Sequence, residues 1–231
     1  MNILGLDLSI NSSGITYMQC DENLKVISLK FLGFTKVKKN EHHSDDVHIC
    51  LLDKSYSDIP YHHRGSVIIK TVEKYFDLDT VDYFATEDYA YGANGAVFDI
   101  AEVCGGIKEA LYIKNIPYKK FPPSSIKQFA TGKGNADKIG MGMAFNKLGI
   151  EILPNLKDFE SPKNDLVDSF WIAQLMRFEL FYRKNNSFPG DLFGEVPEHS
   201  SEAIIGGGKK KKTEPTLTHP TYQFKLVHSV A

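Results

Sequence analysis

Little in this chain supports a reading based on disulfides, membranes or bulk charge. It has three cysteines, Cys20, Cys50 and Cys104, far apart and without a Cys-x-x-Cys pair. An odd, scattered set of thiols argues against a disulfide framework or a zinc ribbon and suits a reducing compartment. No apolar run approaches the roughly 18 residues of a membrane span, and no basic segment precedes the first apolar stretch. Neither a membrane anchor nor a secretory leader is expected. Excess charge is also missing. Lys and Arg number 27 against 29 Asp and Glu, a formal net charge of −2, so any attraction for a polyanion must come from local patches. There is no internal repeat. What remains, 42% hydrophobic and 24% charged over 231 residues, suits a soluble globular domain able to bury a large core.

The order of patterns predicts an α/β layered domain. Residues 3–8, 14–20 and 26–34 read as a three-strand meander, with Asn11-Ser12-Ser13-Gly14 as turn chemistry. Residues 36–61 lose periodicity and read as a long insertion or flexible loop with one short element near 47–52. Helical spacing resumes over 64–76, a fourth strand over 81–87, a helix within 93–113, and a fifth strand over 118–121 stopped by Pro122-Pro123. A short helix follows over 124–129, then the loop Thr131-Gly132-Lys133-Gly134-Asn135 and a helix over 136–147. Ser161-Pro162 is a good helix start, and the helix running to about 183 is apolar on too many sides to be a surface helix. Beyond residue 184 the composition turns to Gly, Pro and polar residues with the basic run Lys209 to Lys212. The expected organisation is a domain over 1–184 and a low-order extension over 185–231.

Four acids stand out against this background. Asp7 lies inside the apolar run Ile3-Leu4-Gly5-Leu6-Asp7-Leu8, and Glu87 ends the run Val81 to Glu87. Asp165 and Asp168, three apart on the last helix, share one face. Taken singly, such acids are usually surface or capping residues, and Asp165 sits early in a helix where the macrodipole favours negative charge. Asp7 has no such explanation, because a carboxylate inside a strand is costly unless it is paired or holds a metal. As a set they suggest oxygen ligands for a hard divalent cation. Two such ions can activate water and stabilise the leaving oxygen of a phosphodiester.

With these residues in view, the chain resembles the RuvC Holliday junction resolvases. The resemblance rests on Ile3-Leu4-Gly5-Leu6-Asp7-Leu8-Ser9, Phe84-Ala85-Thr86-Glu87 and Asn164-Asp165-Leu166-Val167-Asp168-Ser169. Between them lie Ser125-Ile126-Lys127-Gln128 and Thr131 to Lys138. The resemblance implies an RNase H-like mixed five-stranded sheet flanked by helices and a homodimer that cuts branched DNA by symmetric phosphodiester hydrolysis. It implies Mg²⁺ or Mn²⁺ as cofactor, two ions per site, with Asp7, Glu87, Asp165 and Asp168 as ligands. Lys138 would act beside them, with Lys127 next to the DNA. The insertion over 36–61 and the tail are departures shared with the divergent phage and viral RuvC-like endonucleases. The family's aromatic residue three positions beyond the second acid is replaced by Ala90, so Tyr89 or Tyr91 is left as the stacking residue. The implied setting is cytoplasmic, in a bacterial or phage-infected host cell.

Lysines 127, 133 and 138 have a rationale of their own, since cations beside carboxylates can anchor phosphates that the acids would repel. Away from such a site they would be ordinary solvated lysines. Arg64, after His62-His63, joins the candidate DNA contacts. Gly132-Lys133-Gly134 lacks the full phosphate-loop pattern and is not read as one. The group His42-His43-Asp45-Asp46-His48 lies in a polar segment with no second group to complete a zinc spacing, and reads as solvated. Two other functions fit parts of the sequence. One is a junction-binding architectural protein that does not cut. The other is an actin- or sugar-kinase-like ATPase, which would need a second domain and more length and would not call for Asp165 and Asp168.

Overall fold

A computed structural model of the chain describes residues 1–88, 97–151, 153–158 and 160–185. Its strands are β1 (Asn2–Asp7), β2 (Gly14–Cys20), β3 (Val26–Thr35), β4 (His42–His43), β5 (Val47–Leu51), β6 (Tyr83–Glu87) and β7 (Tyr118–Phe121). Its helices are α1 (Lys54–Asp58), α2 (Tyr61–Tyr75), α3 (Val97–Ile113), α4 (Pro123–Thr131), α5 (Lys138–Asn146) and α6 (Lys163–Asn185). The strands form one mixed sheet in the order β4-β5-β3-β2-β1-β6-β7. The expected meander is antiparallel, and β6 and β7 continue it as parallel strands beside β1. Among the described residues no helix is long and apolar enough to cross a membrane. The extension over 185–231 lies, apart from Asn185, outside the described residues.

The five expected strands are joined by two more, and both come from the segment read as an insertion or loop. Residues 36–61 form β4, β5 and α1, and β5 runs parallel to β3 with Phe31 opposite Val47 and Thr35 opposite Leu51. Val47 and Ile49 are fully buried. The alternation was short and diluted by His, Asp and Ser, which conceals a strand whose outward positions are polar. Asp53 starts α1 by accepting a hydrogen bond from the Tyr56 backbone N–H at 3.2 Å.

Alternating side chains divide the core into two layers. Leu4, Leu6, Ile15, Tyr17, Leu32 and Phe84 face α2 and α3. Ile3, Met18, Phe31, Ala85 and Phe121 face the other way, against α4, α5 and α6. Helix α6 is enclosed nearly all round, by the sheet on one side and by Phe129, Met141 and Phe145 of α4 and α5 on the other. Phe170, Trp171 and Phe178 form edge-to-face pairs with Phe129 and Phe145. Truncating any one aromatic there would cost about 3–5 kcal/mol. This two-sided burial accounts for the broad apolar coverage seen in the sequence.

The helix approaches the sheet closely because two strand positions carry no side chain. A Cβ at Gly5 would lie 2.3 Å from the Ser169 carbonyl oxygen, and one at Gly14 would lie 1.9 Å from the Asp165 carbonyl oxygen. Both obstructions are backbone, so neither can swing aside. The buried hydroxyls of Thr16 and Ser169 meet at 2.8 Å across the same interface. Gly105 on α3 differs, with open space where its Cβ would be. Gly14→Ala should therefore lower stability by at least about 2–3 kcal/mol. Gly105→Ala should be neutral or stabilising by up to about 1 kcal/mol. Urea denaturation of the two variants beside the parent chain measures both, and equal stabilities would show that the α6 contact is not as tight as described.

Candidate active site

Strand register brings the first two acids together. Ile3, Gly5 and Asp7 alternate onto the α6 face of β1, as Ala85 and Glu87 do on β6. The two strands are parallel with Leu6 beside Thr86, so Asp7 and Glu87 end neighbouring strands at one edge of the sheet. Asp7 also pairs with Gly14, the residue against which the Asp165 backbone packs. Asp165 is thus delivered to the same edge, and Asp168, one turn further along, projects from the same face. Three of the acids, Asp7, Glu87 and Asp168, keep some contact with solvent, whereas Asp165 is only 5% exposed. Three members of the cluster are therefore reachable from solvent, and Asp165 is the most enclosed.

All four carboxyls are held above their ordinary range, chiefly by burial. For Asp7 the rise is large and is reinforced in turn by Asp168, Asp165 and Glu87, with Lys138 opposing. Glu87 is pushed up to about 7 by burial and then by Asp168, against Lys127 and Lys138. Asp168 is pushed up to about 6 by burial, opposed by Lys138 and Lys127 and reinforced by Asp165. Burial also raises Asp165, while hydrogen bonding from Ser161, the charge of Lys138 and hydrogen bonding from Ser12 hold it down. The Ser12 and Ser161 hydroxyls lie 3.5 Å apart.

The residues fit a hard divalent cation. They offer only oxygen donors, they repel one another, and the Asp165 Oδ2 is buried without a hydrogen-bond partner. Buried carboxylates in that condition call for a cation or a proton. Among the described residues no three acidic, His or Cys side chains already stand close enough to form a coordination shell. Coordination therefore requires rotation of these side chains.

The other expected site residues are distributed unevenly. Lys138 is the first residue of α5, whose N-cap Asp137 accepts from the Gly140 backbone N–H at 2.8 Å, and its charge reaches all four acids. Lys127, on α4, reaches Glu87 and Asp168. Lys133 is exposed in the α4–α5 connection, where its backbone N–H donates to the Thr131 hydroxyl at 3.2 Å, and it is not among the charges acting on the acids. Tyr89 and Tyr91 lie outside the described residues.

Arg64 is a correction. It is 7% exposed and donates to the carbonyls of Ile59 and Ser57 at 2.8 and 2.9 Å. Its guanidinium also lies over the rings of Tyr61 and Tyr56. It ties the start of α2 to the preceding turn instead of facing DNA, a role no local pattern distinguishes from a surface arginine.

Sequence reasoning also missed Ser12 and Ser161, whose only signal was proximity in sequence to Gly14 and Asp165. It missed as well the buried ionic group in which Glu179 of α6 meets Lys119 of β7 and Arg183.

Comparison with known proteins is consistent with this geometry. The family model for crossover junction endodeoxyribonuclease RuvC matches residues 28–173, more than half of the chain. That span contains Glu87, Lys127, Lys138, Asp165 and Asp168 but begins after Asp7. Among solved structures, Thermus thermophilus RuvC is similar with a TM-score of 0.52 at 18% identity, over 81% of this chain and 98% of that one. The yeast mitochondrial Holliday junction resolvase Ydc2 gives 0.47 at 16% identity, over 79% and 83%. The first likeness bears on the fold, which is RNase H-like, and the second falls below the level at which it bears on anything.

The raised carboxyls fix the direction of a pH effect. Glu87 moves from 4.5 to about 7 and Asp168 from 3.8 to about 6, so the folded protein binds their protons more tightly than the unfolded chain. Their contribution to stability is complete below about pH 4 and is lost as pH rises through 6 to 7. In EDTA, Glu87→Gln should match the parent chain near pH 4.5 and exceed it by about 1–3 kcal/mol at pH 8. Thermal melts across that range measure the difference, and a gap that shrinks with rising pH would contradict the arrangement.

Proposed function

Because this chain belongs to the RuvC family, we propose that it is a junction-resolving endonuclease that cuts four-way DNA by metal-dependent hydrolysis. The observation that carries the reading is the convergence of Asp7, Glu87, Asp165 and Asp168 at one sheet edge with Lys138 beside them. The nuclease domain is taken as residues 1–184, with the extension and its basic run as a separate appendage.

Asp7, Glu87, Asp165 and Asp168 would hold Mg²⁺ or Mn²⁺, two ions per site, with Asp7 placed between the others. Bound there, divalent ions supply Lewis-acid polarisation of the phosphodiester and neutralise charge on its oxygens. The carboxylates must be ionised to hold them, so protons are released as the site loads. Lys138 balances the acids and, being exposed, would contact the phosphate to be cut. Lys127 and Lys133 extend that positive margin along α4 and the following loop, where they would hold the DNA backbone. Tyr89 or Tyr91 would stack on the junction bases. Water adds to phosphorus in line with the departing oxygen, without a covalent enzyme intermediate.

Symmetric cutting of a two-fold junction needs two sites related by the same symmetry, so a homodimer is part of the proposal. The outer face of α3 supports it, since Phe98 is 76% and Tyr112 51% exposed, flanking the small residue Gly105.

The test is incubation of the full chain with a labelled immobile four-way junction and a matched linear duplex, in Mg²⁺, Mn²⁺ or EDTA. Paired nicks in the junction alone, dependent on metal, are expected. Asp7→Asn should abolish cutting while junction binding persists, and full activity in that variant would overturn the proposal. Binding without cutting under either metal would instead indicate an architectural protein.

A second expectation concerns charge. Lys138→Met should lower the cleavage rate by about 10²-fold, the usual effect of losing one transition-state donor, with junction affinity changed far less. At limiting metal the parent rate should rise with pH, because Glu87 and Asp168 must lose their protons for the site to load. Single-turnover rates at several pH values measure both.

A further inference from the structure

The histidine-rich stretch before β5 finds no use in the nuclease site. In the register Asp7 stands opposite Gly14, Gly14 opposite Gly33, and Gly33 opposite Ile49. Three strand spacings, roughly 14 Å, therefore separate Asp7 from β5, and the β4 edge lies one spacing further. His48 also faces the other side of the sheet, where its ring stacks on Tyr75 of α2 with centroids 4.0 Å apart.

The antiparallel pairing of β4 with β5 sets His43 directly opposite His48. Their Nδ1 atoms are 3.4 Å apart. This is a hydrogen-bond contact between the rings, and its length is close to the about 3.3 Å that separates two imidazole nitrogens bound to one tetrahedral zinc at about 2.05 Å. The second nitrogen of His43 lies near a carboxylate, with Nε2 3.8 Å from Glu41 Oε1, within charge attraction but longer than a hydrogen bond. A carboxylate behind a ligating histidine is the usual outer partner that fixes the tautomer and raises ligand basicity. Burial, and then His43, Lys30, His42 and Lys74, hold His48 below its ordinary pKa, the direction that favours a ligating imidazole. Lys30 and Lys74 oppose a cation here, and Glu41 offsets them. Among the described residues no third His, Cys, Asp or Glu side chain joins the pair, so water would complete the shell and affinity would be moderate.

We propose that His43 and His48 form a cross-strand chelate for a borderline divalent transition ion, Zn²⁺, Cu²⁺ or Ni²⁺, that clips β4 to β5 at the edge of the sheet. The ligand chemistry differs from that of the nuclease site. Imidazole nitrogens favour these ions, and carboxylates favour Mg²⁺ and Mn²⁺. The site therefore stands or falls independently of the proposed nuclease function.

The test uses the full chain with Cu²⁺ and Zn²⁺ as probes, each in the presence of excess Mg²⁺. Electron paramagnetic resonance of one equivalent of Cu²⁺ should show coupling to two imidazole nitrogens, and Zn²⁺ titration should show a site that excess Mg²⁺ does not displace and that is separate from the acids. His43→Gln and His48→Gln should each weaken that site at least ten-fold and remove the two-nitrogen signal. Glu41→Gln should weaken it about ten-fold. Asp7→Asn and His62→Gln, at other metal-attractive positions, should leave it unchanged. His43 lies on the exposed edge, so its variant should fold, and metal-free melts check this. Undiminished binding in His43→Gln and His48→Gln, or loss of the site in Asp7→Asn alone, would overturn the proposal.

Discussion

Helix α6 lies with its backbone directly on β1 and β2 because Gly5 and Gly14 present nothing to keep it away. The obstructing atoms are the carbonyls of Ser169 and Asp165, so the distance between helix and sheet is set by the backbone itself. That contact aligns three things at once: the core face of α6, the buried Thr16–Ser169 hydrogen bond, and the position of Asp165 and Asp168 relative to Asp7.

The molecule uses the stability of that interface to hold an unfavourable group of charges. Four carboxyls raised by burial, three of them also by neighbouring carboxylates, work against folding at neutral pH, and Lys138 and Lys127 relieve only part of the strain. A divalent cation would relieve the remainder. Such linkage makes metal binding and folding stability one measurement, and it lets the site be assessed without measuring catalysis. The same arrangement suits a phosphodiester, which brings negative charge to a place that attracts it only when the acids are neutralised.

The far half of the sheet is built on other terms. Strands β4 and β5 extend it past β3 with a polar outer surface, and a sheet edge left open is a site for unwanted pairing. The facing imidazoles of His43 and His48, covered on one side by Tyr75, lie where a bound ion would fasten that edge. Arg64 nearby serves a comparable structural end through carbonyls and tyrosine rings. Arg64 in this half is held by carbonyls and aromatic rings, whereas the charges of Lys127 and Lys138, on α4 and α5, act on the acids.

Local sequence patterns were enough for the three-strand meander, β6, β7 and the main helices, because strand alternation, helix periodicity and turn residues are properties of neighbours in the chain. Asp7 was conspicuous for the same reason, a charge where alternation demanded an apolar or small residue. The strand β5 was hidden, since its outward positions are polar and its partner β3 is distant in sequence. Arg64 could not be told from a surface cation, nor His43 and His48 from a solvated run, until folding chose their partners. The residue types and local spacings were set by the sequence alone. Which carboxyls share a field, which cation is spent on carbonyls and which imidazoles meet across strands are consequences of long-range packing, because each depends on a distance between segments that no local pattern encodes.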